Sequence, residues 1–392
     1  MMRPIRRAFA IAVLCVAALL PVDSSAAGAG KASIETFVTR AIRPVMERYG
    51  VPGMAVGIIV KGQTYVYDYG VASTATGRPV TSSTLFEIGS VSKTFTATLA
   101  AYARTGGALS LSDMASEHLR SLRGSSFDEV SLLDLGTHMS GLPLQVPDNI
   151  TNNAQLMEYL RSWKPEHAPG TYRTYSNLGI GLLGMIAASS MHGDFAALMQ
   201  DKVFSGLGMQ HTYFDVPVSE WDNYAQGYTA TNIPIRMVPG VLAPEAYGIK
   251  TTAGDMLRFI AANMGMLDIN ERLQHAIAGT HAGYDRIGSM TQDLIWEQYD
   301  DRVGLKELRE GNSDRMLLQA NPATRLDPAA PPRDHVLIDK TGSTNGFSTY
   351  VAFIPAKKTG IVILANKRYP NDARVTAAYA ILTRLDDDAS KD

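Results

Sequence analysis

The sequence has little cysteine and no strong excess of charge of either sign. Its 392 residues include one cysteine, Cys15, and carry a formal net charge of −2 at pH 7. A single cysteine excludes an intramolecular disulfide framework, and the balanced charge lacks the basic patch typical of nucleic-acid binding. The eight histidines show no His-x-His or His-Glu-x-x-His spacing, so no zinc site is predicted. With 45% hydrophobic residues, the chain is large enough for a substantial core in one or two domains.

Only the N-terminus contains a long apolar run. Arg3, Arg6 and Arg7 precede thirteen apolar residues at 8–20, and small residues follow. A membrane-spanning helix needs about 20 such residues, so the pattern favours a cleavable secretory signal peptide over an uncleaved anchor. We therefore predict a signal peptide at 1–27, export to the periplasm and no stable association with the membrane.

Cleavage changes the composition of the mature chain. Both Ala27 and Ala29 are suitable cleavage positions. Removing residues 1–27 takes away Cys15, three arginines and Asp23, so the formal charge goes from −2 to −4 and no thiol remains. A chain without thiols is compatible with an oxidising compartment such as the periplasm.

Strand and helix patterns occur near both ends of the chain. Apolar residues spaced by three and four predict an early helix that ends near Gly50. Two β-rich runs joined at Lys61-Gly62, MAVGIIV and QTYVYDYGVA, predict a hairpin, and FSTYVAFI with GIVILAN predicts a second strand pair. Apolar periodicity from Asp372 onward predicts a closing helix.

These patterns predict two structural units in one chain. Because helix and strands occur at both ends, we expect a discontinuous α/β domain formed by residues 28–105 and 230–388. The middle of the chain, at 106–229, is predicted to form an inserted, mainly helical domain. The fold class is therefore α/β in composition, or α+β if the strands pair as hairpins.

The first candidate for chemistry is a serine at a predicted helix start. Ser90 precedes an alanine- and threonine-rich run, and Lys93 follows three residues later in FEIGSVSKTFTATLAAYA. Residues three apart share one face of a helical turn, so the amine can accept the serine proton while N–H groups at the helix start face an oxyanion. An isolated Ser-x-x-Lys is more often a solvated pair, but this is its only occurrence in the chain.

The second candidate is a polar step before an apolar helical run. Tyr175 and Asn177 lie in YRTYSNLGIGLLG, where both side chains can project towards a cleft. A tyrosine is a useful base only if its pKa falls below roughly 10, and two nearby ammonium groups would lower it. Lys93 and one lysine of a Lys-Thr-Gly would form such a pair. The alternative is a half-buried tyrosine beside an asparagine cap, and a second Tyr-x-Asn occurs at 369–371.

Lys-Thr-Gly occurs twice, at Lys340–Gly342 and Lys358–Gly360. The first copy precedes the strand run GFSTYVAFI, and we expect it on an edge strand whose backbone N–H groups face a ligand. The second copy lies between two apolar strands, where PAKKTG predicts a solvated hairpin turn. The first copy is therefore the candidate partner of Lys93.

With Ser90–Lys93, Tyr175–Asn177 and Lys340–Gly342 in this order, the chain resembles the class C (AmpC-type) serine β-lactamases. The stretches GLPLQVPD, EAYGIKTT and LANKRYPNDAR agree with that family. The class A motif Ser-Asp-Asn and the nucleophile elbow Gly-x-Ser-x-Gly are absent. The resemblance implies the serine β-lactamase/penicillin-binding-protein-like fold, in which helices flank an antiparallel sheet beside a mostly helical domain.

The resemblance also implies a role for each motif residue. Ser90 would be the nucleophile, Lys93 and Tyr175 would transfer protons, and Lys340 would hold Tyr175 electrostatically. The backbone N–H groups of Ser90 and Ser343 would form the oxyanion hole. Substrate contacts would come from Gln145, Asn177, Tyr247, Thr341, Asn371 and Arg374. The implied protein is a monomeric enzyme that hydrolyses cephalosporins and penicillins, confers antibiotic resistance and needs no metal or organic cofactor.

Two residues depart from the family pattern. Asp339 stands where a neutral residue or histidine is expected, and Arg368 stands where asparagine is common. Since neighbouring side chains on a strand point to opposite faces, we expect Asp339 to face away from Lys340. The same motifs occur in DD-peptidases and esterases of this fold, and a β-lactam sensor that is acylated without turnover is a further alternative. The rate of deacylation separates these functions.

Overall fold

The computed structural model describes residues 24–389. The predicted signal peptide lies mostly outside these residues, as does Cys15. Within them, no single helix is long and apolar enough to cross a membrane, and only the bent pair Asn177–Ser190 and Phe195–Leu207 passes by length and composition. Most residues of the first of these helices are buried in the protein core.

The described residues form fourteen α-helices. They are α1 (Ser24–Tyr49), α2 (Ser92–Thr105), α3 (Ala115–His118), α4 (Leu132–Gly136), α5 (Asn153–Ser162), α6 (Asn177–Ser190), α7 (Phe195–Leu198), α8 (Ser205–Leu207), α9 (Ala243–Ala246), α10 (Ala253–Asn263), α11 (Glu271–Gly279), α12 (Leu305–Gly311), α13 (Asp314–Leu318) and α14 (Asn371–Ala389). A π-helical turn at Met199–Phe204 connects α7 to α8.

The same residues form sixteen strands. They are β1 (Gly53–Val60), β2 (Gln63–Gly70), β3 (Phe86–Glu87), β4 (Tyr172–Arg173), β5 (Thr212–Tyr213), β6 (Gly227–Tyr228), β7 (Pro234–Ile235), β8 (Lys250–Thr251), β9 (Gly283–Ile287), β10 (Met290–Gln292), β11 (Glu297–Asp300), β12 (Asn321–Pro322), β13 (Thr324–Ala330), β14 (Val336–Ser343), β15 (Ser348–Ile354) and β16 (Thr359–Ala365). Nine of them form one sheet in the order β13-β9-β10-β11-β14-β15-β16-β1-β2.

Every pair in the large sheet is antiparallel. The predicted first hairpin is confirmed, because β1 and β2 pair up to Val60 and Gln63 around Lys61 and Gly62. Both turn residues have positive φ, 49° and 79°, as a two-residue type I′ turn requires. The predicted pair β15–β16 and the closing helix α14 are also confirmed.

The centre of the sheet is covered on both faces, so β1, β15 and β16 are buried along their whole length. On one face, alternate β1 residues such as Met54 and Val56 pack with apolar residues of α1 and α14. On the other face, Ala55 and Ile59 pack with residues of α2 and α10. A strand covered on both faces is a continuous apolar run, which explains the sequence MAVGIIV.

A second group of helices has its own core. Between residues 106 and 229 the chain forms α3 to α8 and only two-residue strands. Most apolar side chains of α4, α5 and α6 belong to a second cluster, whereas those of α7, the π-helical turn and α8 pack into the sheet-side core. Helix α2 contributes to both units, because Phe95 packs with the sheet-side core and Ala100 with the helical core. The start of α2 therefore lies where the two units meet. The predicted domain boundaries themselves stay a prediction.

The prediction that Lys340–Gly342 lies on an edge strand is wrong for the strand as a whole. These residues belong to β14, which lies between β11 and β15. The pairing with β11 nevertheless ends at Glu297–Asp339, because β11 has only four residues. From Lys340 to Ser343, β14 pairs with β15 alone, and this stretch faces the turn that carries Ser90.

Of the second Lys-Thr-Gly, only the lysine occupies the predicted solvated turn. Lys358 is exposed, has a left-handed backbone with φ 47°, and follows a 3₁₀ turn at Pro355–Lys357 between β15 and β16. Its Thr359 and Gly360 begin β16. The two copies of the tripeptide thus have different surroundings.

Candidate active site

Ser90 lies in a 3₁₀ turn, Gly89–Val91, immediately before α2. The side chain of Lys93 comes from the first turn of α2, and its Nζ donates to Ser90 Oγ at 2.9 Å. The same Nζ donates to the carbonyl of Ala246 at 2.8 Å, at the end of α9. The predicted proximity of the serine and the lysine is therefore confirmed, and the lysine is held from two sides.

Lys93 is fully buried, and burial is the main reason that its pKa is lowered to about 8. The positive charge of Lys340 lowers this pKa further, whereas Tyr175 opposes the shift. An amine with a pKa near 8 is partly neutral close to neutral pH. Lys93 can therefore accept the proton of the hydroxyl to which it is bonded.

Tyr175 lies in the short connection between β4 and α6. Ser176, the next residue, caps α6 by accepting from the N–H of Gly179 at 3.0 Å. The Tyr175 ring lies between two lysines, with Lys93 Nζ 5.2 Å and Lys340 Nζ 4.9 Å from its centroid. The structure therefore brings Tyr175 together with both predicted lysines.

The two ammonium groups change the acidity of the Tyr175 phenol. Burial alone would raise its pKa, but the charges of Lys340 and Lys93 outweigh burial, so the pKa is lowered. Ser90 is close enough to contribute in the same direction. None of residues 24–389 completes a hydrogen bond of ordinary geometry to the buried hydroxyl. The phenol therefore lies near Lys93, Lys340 and Ser90, and its hydroxyl has no fixed hydrogen-bond partner among the described residues.

Lys340 projects from β14 into the same site. It is 2% exposed, and its Nζ lies 3.5 Å from Glu297 Oε1. Burial would lower the pKa of Lys340, but the charges of Glu297 and Tyr175 raise it. The Glu297 carboxylate also accepts from the guanidinium of Arg173 at 2.7 Å. Lys340 is thus a charged ammonium at the pH at which Lys93 loses its proton.

Two glycines bring the Ser90 turn and the end of β14 close together. A Cβ on Gly89 would lie 2.4 Å from the carbonyl oxygen of Ser343, and a Cβ on Gly342 would lie 2.1 Å from that of Ile88. Both distances are far below contact distance, and Gly89 also has φ 51°. Only glycine allows this approach. As a result, the backbones of Ser90 and Ser343 lie side by side.

Arg374 forms hydrogen bonds with the last two residues of β14. This residue of α14 is 1% exposed and donates to the carbonyls of Gly342 at 2.5 Å and Thr349 at 3.0 Å. Its other nitrogen donates to Ser343 Oγ at 2.8 Å and to Asn371 Oδ1. Arg374 itself is buried, and its predicted contact with the substrate stays a prediction. Asn371 and Thr341, by contrast, are partly exposed.

The remaining predicted site residues lie on the helical side. Asn177 Nδ2 donates to Gln145 Oε1 at 2.8 Å, and Gln145 is exposed. Asn177 Oδ1 is buried without a partner among the described residues. Tyr247 is half-buried just after α9, next to the Ala246 carbonyl that binds Lys93. Gln145 and Asn177 are therefore joined by a hydrogen bond, and Tyr247 directly follows the residue whose carbonyl binds Lys93.

Three buried residues of the site are not apparent from the sequence. Glu297 and Arg173 form an ion pair behind Lys340, and the His138 ring lies 4.2 Å from that of Tyr175. A lone acidic residue within the apolar strand segment LIWEQY is the one signal that points to Glu297. Arg173 lies two residues before Tyr175, but nothing local indicates its partner.

Asp339 and Lys340 have separate partners, although they are adjacent in β14. Asp339 is fully buried and accepts from the Tyr350 hydroxyl at 2.7 Å and from Asn312 Nδ2 at 2.8 Å. Arg368, the other departure, is exposed beyond the end of β16. The described residues contain no group of three or more His, Cys, Asp or Glu side chains arranged to hold a metal ion.

Comparison with known proteins identifies the family. The family model described as Beta-lactamase matches residues 38–385. A β-lactamase of Pseudomonas fluorescens is 47% identical over 355 residues, which are 90% of this chain and 99% of that protein. The chain therefore belongs to the β-lactamase family.

Solved structures place it within that family. A class C β-lactamase in complex with cefoxitin is 49% identical with a TM-score of 0.89, covering 91% of this chain and 99% of that one. A D-alanine carboxypeptidase AmpC from Burkholderia cenocepacia is 52% identical with a TM-score of 0.87, covering 90% and 99%. The resemblance to class C β-lactamases and the predicted fold are both confirmed.

Proposed function

We propose that this chain hydrolyses the amide bond of β-lactams through an acyl-enzyme on Ser90. The observation that carries the proposal is the 2.9 Å hydrogen bond between Lys93 Nζ and Ser90 Oγ, beside a buried Tyr175 that lies between two lysines. A hydroxyl bonded to an amine with a pKa of about 8 loses its proton more readily than a free serine. Membership of the β-lactamase family supports the same reaction.

In the proposed acylation, Ser90 Oγ attacks the lactam carbonyl carbon, and the serine proton passes to the Tyr175 phenolate, either directly or through Lys93. The carbonyl oxygen becomes an oxyanion, which the N–H groups of Ser90 and Ser343 stabilise. The ring C–N bond then breaks, and Tyr175 donates a proton to the leaving nitrogen. Lys340 keeps the phenolate form of Tyr175 accessible by its positive charge.

In the proposed deacylation, a water molecule attacks the ester carbonyl carbon. Tyr175 and Lys93 orient the water and accept its proton, and Ser90 Oγ regains a proton as the ester bond breaks. The products are the ring-opened acid and free enzyme. Deacylation must be fast for this reaction to be catalytic, which separates a hydrolase from a sensor.

For substrate recognition, we propose that Thr341 and Asn371 bind the carboxylate of the β-lactam. Arg374 supports them indirectly through its bonds to Ser343 and Asn371. On the opposite side, the paired amides of Asn177 and Gln145 bind the acylamide side chain, and Tyr247 forms one wall of its pocket. The unpaired Asn177 Oδ1 supports this assignment, since buried polar atoms normally have a partner.

The proposed substrates are cephalosporins and penicillins, and the proposed location is the periplasm. The class C relative in complex with cefoxitin supports a β-lactam substrate. The signal-like N-terminus supports export, and we propose that the exported enzyme is a monomer. Mass spectrometry of the exported protein tests its start, which we expect between residues 26 and 32.

A D-alanine carboxypeptidase activity is the second candidate. The Burkholderia cenocepacia protein described as a D-alanine carboxypeptidase AmpC, which is 52% identical to this chain, is consistent with this activity. Both activities begin with the same acylation of the serine, so they differ in which acyl-enzyme is formed and hydrolysed. Parallel assays with a chromogenic cephalosporin and a D-alanyl-D-alanine peptide distinguish them.

The test compares the wild type with Ser90→Ala and Ser92→Ala on a chromogenic cephalosporin. We expect many turnovers by the wild type and none by Ser90→Ala, with both proteins folded. Ser92 is a matched control two residues away, whose Oγ accepts from the N–H of Ile249 at 3.2 Å. Ser92→Ala should lose about 1–3 kcal/mol of stability but keep turnover. A single burst by the wild type, or wild-type turnover by Ser90→Ala, would contradict the proposal.

A further inference from the structure

His138 is a fully buried histidine beside the site, in the turn after α4. Its backbone has φ 62°, a left-handed conformation that non-glycine residues seldom adopt and that clusters at functional sites. Its ring centroid lies 4.2 Å from that of Tyr175, with an angle of 36° between the planes. This placement gives His138 a direct contact with the proposed proton-transfer residue.

His138 forms hydrogen bonds with the residues immediately before and after Tyr175. The His138 carbonyl accepts from the N–H of Thr174 at 2.8 Å, and His138 Nδ1 accepts from the N–H of Ser176 at 3.2 Å. One residue therefore binds the backbone on both sides of the tyrosine while its ring packs on the tyrosine ring. Nε2 has no protein partner among the described residues, so the one protein hydrogen bond of the imidazole serves this segment.

The accepting nitrogen requires a neutral imidazole, because a protonated ring has no acceptor. The pKa of His138 lies well below its ordinary value, mainly because the ring is buried. The positive charges of Arg173, Lys93 and Lys340 lower this pKa further. The nearby anion, Glu297, is shared by Arg173 and Lys340. The ring is therefore an uncharged group packed on the tyrosine, in a site that already contains the cations Arg173 and Lys340 and the titratable amine of Lys93.

We propose that His138 is a positioning residue for Tyr175, fixing the backbone on both sides of the tyrosine and packing on its ring so that the phenol stays between Lys93 and Lys340. The proposal rests on the proposed role of Tyr175 in proton transfer. It adds a residue that acts through the tyrosine.

Two variants separate the contributions of His138. His138→Gly tolerates the left-handed backbone and removes both ring and acceptor, whereas His138→Asn also tolerates it and restores an acceptor oxygen. Their difference therefore measures the bond to Ser176. A matched control is His281→Asn, because His281 is another buried histidine whose pKa is lowered to about 4 by burial, and it bonds to Asn263 at 2.9 Å.

The measurements are kcat and KM on a chromogenic cephalosporin, and the titration of Tyr175 by NMR of labelled tyrosine, with Tyr175→Phe to assign the signal. We expect His138→Gly to lose about 10²-fold in kcat with little change in KM, since small displacements of a catalytic group cost this much. Its Tyr175 pKa should rise towards roughly 10 as the phenol leaves the two ammonium groups. His138→Asn should recover at least about 10-fold of that kcat, and His281→Asn should match the wild type in both readouts.

Wild-type kcat together with an unchanged Tyr175 titration in His138→Gly would overturn the proposal. So would a loss of kcat without any change in that titration, because His138 would then act by another route. The titration needs no turnover, so it tests His138 even if the wild type does not hydrolyse the cephalosporin, a result that would contradict the proposed function instead. If His138→Gly does not fold, His138→Asn compared with the wild type gives the same decision on the Tyr175 titration.

Discussion

The Glu297 carboxylate lies 3.5 Å from the Lys340 ammonium, and both side chains are almost fully buried. The same carboxylate oxygen accepts from Arg173 at 2.7 Å. One anion therefore balances two buried cations directly behind the Tyr175 ring. The positive charge of Lys340, which lowers the pKa of Tyr175, is therefore maintained by Glu297.

Glu297→Gln should lower the pKa of Lys340, because Glu297 makes the largest contribution that raises it. The alkaline limb of kcat/KM against pH should then move to lower pH, since a neutral Lys340 no longer favours the phenolate. Stability should fall by about 3–5 kcal/mol, the usual result of breaking a buried ion pair. Rate measurements from pH 6 to about 10 and urea denaturation test both effects.

The control is Asp386→Asn, which removes the carboxylate bonded to Lys357 at 2.8 Å near the surface. A partly exposed pair near the surface contributes about 0–1 kcal/mol, and the pH profile should match that of the wild type. An unshifted alkaline limb in folded Glu297→Gln would show that Glu297 does not control Lys340.

Lys340→Ala should lower kcat/KM by about 10²-fold or more, because the phenolate loses a positive neighbour in the transition state. Lys358→Ala, in the second Lys-Thr-Gly, should keep the wild-type rate and change stability by less than about 0.5 kcal/mol. The comparison uses one cephalosporin and thermal melts of both variants. Equal losses in the two would mean that the position of Lys340 beside Tyr175 has no catalytic consequence.

Gly342→Ala should widen the space between β14 and the Ser90 turn, since its Cβ would lie 2.1 Å from the Ile88 carbonyl oxygen. We expect kcat to fall by about 10²- to 10³-fold, as when an oxyanion-hole donor is lost. Gly360→Ala is the matched control, because its nearest clash is with the Ile260 side chain at 2.9 Å, away from the site. It should cost about 1–3 kcal/mol of stability by overpacking and leave kcat unchanged; a similar fall in kcat for both variants would contradict this.

Asp339 makes stability depend on pH in a predictable direction. Burial, with the charge of Glu297, raises the pKa of its carboxyl to about 7, so the folded protein binds more protons than the unfolded chain between about pH 4 and 7. The free energy of unfolding therefore falls as pH rises through this range. Asp339→Asn keeps an oxygen for Tyr350 and Asn312 and removes the titration.

Relative to the wild type, Asp339→Asn should be more stable at pH 8 than at pH 5, as measured by urea denaturation. Other buried groups with shifted pKa values are present in both proteins and cancel in the difference. These groups include Glu245, with a pKa raised to about 7, and Asp285, with a pKa raised to about 6. A stability difference that is the same at both pH values would show that Asp339 does not titrate in this range.

Local patterns were sufficient wherever the determining interaction was local. The Lys61-Gly62 turn and the spacing of Ser90 and Lys93 depend on residues within a few positions, and the structure has both as predicted. The surroundings of Tyr175 also agree with expectation, because the need for a lowered phenol pKa already required two cations.

Long-range register accounts for what the sequence did not reveal. Glu297 meets Lys340 only because β11 pairs with β14 at Asp339, and no local pattern specifies that pairing. Because β11 is short, β14 has a partner strand on both sides up to Asp339 but pairs only with β15 from Lys340 to Ser343. The role assigned to Arg374 depended on family resemblance, and the bonds of its side chain to the Gly342 and Thr349 carbonyls appear only in three dimensions.

The position of β1 between β2 and β16 has a consequence for the order of synthesis. A ribosome releases β1 and β2 about 300 residues before the strand that must cover the other side of β1. Until β16 is available, the β1–β2 hairpin with the apolar sequence MAVGIIV has an unpaired strand edge. Such an edge can form backbone hydrogen bonds with a strand of another chain, which leads to aggregation. A chain terminated before Thr359 would retain Ser90, Tyr175 and Lys340, yet it would be a source of aggregates rather than a partly active enzyme.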